Sequence, residues 1–160
     1  MSVREVLRQA RIARNIEVSN ASAFVSIPEP SYWDLESCED EIWNLRLIEI
    51  TRLLTLLQIP PNDLCRLQKD APTVGKDLPV VRDPFDRKLI AQGLRQSIPD
   101  LAALADLLGW ETTALESSLS DDTQFGEMPL FLLFDLCKAL NVSSINVLDR
   151  YVSNITGNNW

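Results

Sequence analysis

Two stretches of this chain follow the same pattern about 83 residues apart. Leu45–Leu64 reads LRLIEITRLLTLLQIPPNDL, and Pro129–Leu148 reads PLFLLFDLCKALNVSSINVL. Each is an amphipathic helix that breaks at a polar residue and a β-branched one, then resumes as a short helix. Leu57-Gln58-Ile59-Pro60-Pro61 aligns with Leu140-Asn141-Val142-Ser143-Ser144. Such self-similarity points to a duplicated unit. A chain of 160 residues accommodates two such units, each near the lower size limit for a self-supporting core.

The pattern continues outside the repeat as further helices. Val3, Val6, Leu7, Ala10 and Ala13 fall at helical spacing, and Asn15 suits a left-handed C-cap. A short helix is expected over Ser19–Ser26. A third is expected over Ser31–Ser37, opened by Pro28-Glu29-Pro30, because proline is tolerated in a first turn. Asn44–Gln58 and Pro61–Arg66 complete the first unit. Residues 67–84 hold three prolines and alternating charge and read as a linker, with Leu78, Val80 and Val81 available to lie against a neighbour. The second unit is expected to run Phe85–Gln96, Asp100–Leu108, Trp110–Leu119, a polar loop Ser120–Gly126, Leu130–Leu140 and Ser144–Val152, before a frayed tail over 153–160. No hairpin signal appears. The fold class is all-α, with domains at 1–66 and 85–152, and Leu53, Leu56, Leu57, Leu136 and Leu140 in the core.

Charge narrows the function. The net charge is −8. Residues 1–14 carry Arg4, Arg8, Arg11 and Arg14 against Glu5 alone, whereas residues 15–49 set eight acids against Arg46. Residues 96–160 set nine acids against two bases. Acidic bodies oppose non-specific contact with nucleic acid or anionic membrane. The chain has no histidine, and its three cysteines, Cys38, Cys65 and Cys137, lie far apart without metal-ligand spacing. Paired carboxylates such as Asp121-Asp122 have no nucleophile or glycine loop beside them. No catalytic residue, metal or cofactor is expected. The N-terminus lacks a signal-peptide core and no stretch is apolar enough to span a membrane, so a cytoplasmic chain is expected.

The order and lengths of these helices resemble the phage-repressor (lambda-repressor-like, Cro-like) helix-turn-helix family, in two tandem copies. The residues carrying the resemblance are Leu7-Arg8-Gln9-Ala10-Arg11-Ile12-Ala13-Arg14-Asn15, Leu104-Ala105-Asp106-Leu107-Leu108-Gly109-Trp110-Glu111, and Gly126-Glu127-Met128-Pro129 with Leu133, Leu136, Ala139, Leu140 and Val142. Asn15 stands where the family usually has glycine. The resemblance implies two five-helix domains packed as a pseudo-dimer, with DNA read by the helix after each turn. On that implication the DNA contacts would come from Arg4, Arg8, Arg11, Arg14, Ser31, Thr112 and Thr113.

The residues of the would-be recognition segments point elsewhere. Pro28–Glu36 and Glu111–Ser118 contain no Lys, Arg, Asn or Gln, the side chains that read guanine and adenine edges bidentately. Tyr32 falls at a core position and Trp33 at an outward one. An exposed indole beside Glu29, Asp34 and Glu36 suits a basic protein partner better than a DNA groove. Trp43 and Trp110 are expected in the core. Two readings stand: a regulatory protein that binds a protein partner, antitoxin-like or immunity-like, and a DNA-binding transcriptional regulator acting as a covalent dimer.

Overall fold

The computed structural model describes residues 1–157 apart from 67–88. The expected linker contacts of Leu78, Val80 and Val81, and Trp160, lie outside the described residues, as do the side chains of Cys65, Arg66 and Leu89.

The first half holds α1 (Val3–Ala13), α2 (Val18–Val25), α3 (Glu29–Ser37), a 3₁₀ turn (Glu41–Asn44), α4 (Leu47–Leu57) and α5 (Pro61–Arg66). The second holds α6 (Leu89–Gln96), α7 (Leu101–Leu108), α8 (Thr112–Ser118), α9 (Asp122–Phe125), α10 (Leu130–Leu140) and α11 (Ser144–Thr156). Among the described residues there is no strand, and the fold is all-α.

A shift of 83 residues carries the start of α2 onto that of α7, α3 onto α8, α4 onto α10 and α5 onto α11. The backbone agrees at the turns. Ser26 and Gly109 end α2 and α7 in the left-handed region at φ 66° and 71°. Gln58 and Asn141 end α4 and α10 at φ 52° and 55°. Asn15 also has positive φ, at 54°.

Local chemistry sets the helix ends. Ser2 and Glu5 form a capping box on α1, and Asp100 caps α7 by accepting from the Ala103 amide. The N-terminus of α6 is capped from a distance: the buried Asp122 carboxylate on α9 accepts from the Ala91 amide at 3.0 Å.

The core runs through both halves. Leu47, Ile50, Leu53, Leu54 and Leu57 of α4 and Leu133, Leu136 and Cys137 of α10 are fully buried. Leu56 and Leu140, expected in the core, are only partly buried at its edge. Full burial of each such aliphatic side chain stabilises the fold by about 1.5–3 kcal/mol.

The halves are joined by backbone. An isolated antiparallel bridge pairs Arg46 with Pro129. Leu47 N–H donates to Met128 O and Leu130 N–H donates to Leu45 O, each at 2.9 Å. Since 128 and 130 lie 83 positions after 45 and 47, the two bonds are the same bond with the halves exchanged. Around the bridge, α11 packs on α4 and α5, and α10 packs on the 3₁₀ turn. Trp43 of that turn meets the Phe134 ring edge-on at 4.8 Å.

Four expectations are corrected. Each half has an extra short turn of helix, so the count is not five. Ser120–Gly126 is not simply a polar loop: Asp121 caps α9 and Phe125 is fully buried. The fourth helix starts at Leu47, not Asn44, because Leu45 and Arg46 are extended to make the bridge. The chain does not fray at residue 153, because α11 continues to Thr156 and ends at Gly157 in a left-handed cap.

Candidate interaction surface

Helix α3 separates its residues by side. Tyr32 and Leu35 turn inward and are buried, while Glu29, Pro30, Trp33, Asp34 and Ser37 face solvent. Trp33 is 50% exposed, and Ile12 on α1 and Phe24 on α2 are exposed to similar degrees. Of the acids expected beside the indole, Glu29 and Asp34 stand on the surface. Glu36 does not. Its carboxylate is buried against Arg11, accepting from Nε at 2.6 Å and from a terminal nitrogen at 2.9 Å. Residue 36 lies on the same inward side as Tyr32, one helical turn earlier, and a carboxylate there requires a charged partner.

The same pair removes Arg11 from the basic face. Its guanidinium also donates to Ile16 O, and the hydrogen bond to Glu36, ahead of any other cause, raises its pKa. Arg4 donates to Ser37 O at 2.7 Å, placing a cation on the last turn of α3, where the helix dipole favours it. Arg14 donates to Ala10 O and to the Gln58 side chain. Of the four arginines read as phosphate contacts, Arg8 alone stands exposed without an intramolecular bond. Ser31 is half-buried, and Thr112 and Thr113 are exposed in the first turn of α8.

Sequence reasoning missed the ion pair, although its signal was present. The residues 83 positions after Arg11 and Glu36 are Leu94 and Leu119, both apolar, so comparing the two halves marks positions 11 and 36 as interior.

Tyr32 packs beside this pair with its hydroxyl buried and without a hydrogen-bond partner. Burial, reinforced by Glu36 and opposed by Arg11, pushes its pKa up to about 12. Trp43 and Trp110 are partly buried against the core. Cys38 is exposed, and Cys137 is buried with its thiol pushed up to about 12 by desolvation. Among the described residues no group of His, Cys, Asp and Glu is arranged to hold a metal ion. No described helix is long and apolar enough to cross a membrane.

Comparison with protein-family models, curated proteins and solved structures gives no match to this chain.

Proposed function

We propose that this chain is a non-enzymatic tandem of two lambda-repressor-like helix-turn-helix units packed as a pseudo-dimer. It acts by binding a basic protein partner, in the manner of an antitoxin or immunity protein. The constant spacing of 83 residues between matching helices and caps supports the duplicated architecture, as does the exchanged pair of backbone bonds at Arg46 and Pro129.

One observation carries the function. Helices α2, α3, α7 and α8, the helix-turn-helix elements of both units, contain no Lys or Arg, while Trp33 stands half-exposed between Glu29 and Asp34. DNA affinity rests largely on phosphate neutralisation by basic side chains. An exposed aromatic ringed by acids is instead a centre for a complementary protein surface. The engagement of Arg4, Arg11 and Arg14 inside the protein strengthens the contrast.

The second reading is a DNA-binding regulator whose two units address two half-sites. It draws on the paired arrangement and on Arg8, Ser31, Thr112 and Thr113 at the surface. Duplex binding titrated against salt, run beside affinity capture of proteins from the source cell, separates the two. The expected result is weak duplex binding at physiological salt and a captured basic protein that Trp33→Ala releases while Arg8→Ala does not. Tight, sequence-selective duplex binding abolished by Arg8→Ala overturns the protein-binding reading in favour of the regulator.

A further inference from the structure

Between α6 and α8 lies a cleft of about 350 Å³, lined by Gln92, Arg95, Gln96, Glu116, Leu119 and Ser120. It is separate from the Trp33 surface, and nothing below depends on the function proposed for that surface.

The polar groups of the cleft are not used by the protein. Among the described residues, the side chains of Gln92, Arg95, Gln96 and Glu116 make no hydrogen bond or ion pair. Arg95 is half-buried. A half-buried guanidinium loses hydration and ordinarily regains that energy from a carboxylate. Here it has none, in a chain of net charge −8. The base of the cleft is apolar, with Leu119 2% exposed. Ser120 donates its hydroxyl hydrogen to Ser117 O at 2.7 Å and offers the cleft only lone pairs.

The other half shows that the fold does not demand these charges. Eighty-three positions before Arg95, Glu116 and Leu119 stand Ile12, Trp33 and Glu36. The equivalent seam is built there with an isoleucine and a tryptophan at its rim and the Arg11–Glu36 pair beneath.

The geometry points to a binding site for a free α-amino acid with an apolar side chain. The Arg95 guanidinium takes the carboxylate through its forked donors, with Gln92 and Gln96 supplying further N–H groups. Glu116 takes the ammonium, and Leu119 meets the side chain. The volume falls at the lower end of ligand sites, which span about 300–1,000 Å³. A phosphate ligand would set a dianion against Glu116, and a purely apolar ligand would leave Arg95 unpaired.

The test is titration of the intact protein with L-leucine, followed by calorimetry and by amide chemical shifts. N-acetyl-leucine, which lacks the ammonium and mimics a peptide C-terminus, and leucine amide, which lacks the carboxylate, are the comparators. Leucine is expected to bind saturably, with shifts centred on residues 92–96 and 116–120. Arg95→Gln and Glu116→Gln should each weaken it about tenfold or more, as expected for loss of one charge-assisted contact. Both positions reach the surface, so circular dichroism should show each variant folded. The assignment is overturned by the absence of saturation, by shifts centred elsewhere, or by affinity for either comparator equal to that for leucine.

Discussion

Arg11 and Glu36 hold each other in the interior of the first half at the two positions that Leu94 and Leu119 fill in the second. One fold thus carries two solutions to the same packing problem, a forked ion pair and a pair of leucines. Removing one partner from a buried pair leaves an uncompensated charge and costs about 3–5 kcal/mol, whereas replacing both with apolar groups of similar size is often neutral or stabilising. Arg11→Ala and Glu36→Ala should therefore each lower stability by about that amount in urea denaturation. The double variant R11L/E36L, which copies the second half, should return to wild-type stability or exceed it. A double variant as unstable as the single ones would show that the two halves pack differently at this level.

The turn after α2 offers a smaller effect of opposite sign. Ser26 sits at φ 66°, and its counterpart in the second half is Gly109 at φ 71°. A side chain in the left-handed region costs about 1–2 kcal/mol. Ser26→Gly should raise stability by about 1 kcal/mol after the entropy cost of glycine in the unfolded chain is subtracted. An unchanged or lowered denaturation midpoint would contradict this.

Gly126 is constrained by space and not by its backbone angles. A β-carbon there would run into the hydroxyl of Tyr151, a side chain that is 1% exposed, while the Gly126 carbonyl accepts from the Ile48 amide at 3.0 Å. Gly126→Ala should cost about 1–3 kcal/mol, the usual range for overpacking. Tyr151→Phe removes the atom that the new methyl meets. In a double-mutant cycle the pair should lose less than the sum of the two single variants, and strict additivity would rule out the clash.

The chain has two tyrosines, and both titrate late. Burial pushes Tyr32 and Tyr151 up to about 12, with Glu36 reinforcing the first and Asp122 the second. The Cys137 thiol is likewise pushed from 9.0 to about 12. In the unfolded chain the phenols lose their protons near pH ~10 and the thiol near ~8.5, while the folded protein retains them. Stability is therefore fully present below those values and falls as pH rises toward about 12. Tyrosinate absorbance should stay flat through pH ~10 and then rise together with the loss of helical dichroism. A separate tyrosinate step near pH ~10 in the folded protein would contradict the burial of both rings.

The parts of the fold legible in the sequence were those set by long apolar periodicity. Leu130–Leu140 was found to the residue because its helix is nearly all core. The ends were harder to read where tertiary contacts set them. Leu45 and Arg46 continue the helical pattern, yet they are extended because their backbone pairs with residues far along the chain. The helix at Asp122–Phe125 was hidden by its acids, although Asp121 three residues before Gln124 is an ordinary N-cap arrangement. At the interaction surface, an arginine-rich helix face looked solvated throughout. Only the geometry distinguishes Arg8, which is exposed, from Arg11, which is interior, and the same geometry takes Glu36 out of the surface group while leaving Glu29, Trp33 and Asp34 in it.

The reciprocal bonds between Leu45 and Leu130 and between Leu47 and Met128 lie between segments that the chain order does not bring together. The peptide connection across residues 67–88 is therefore not what holds the halves in register. Cleavage within that span should leave a nicked protein that still elutes as one species and melts in one transition. Fragments 1–66 and 89–160, expressed separately, should reconstitute the fold on mixing, with a midpoint that rises with concentration, as for any bimolecular assembly.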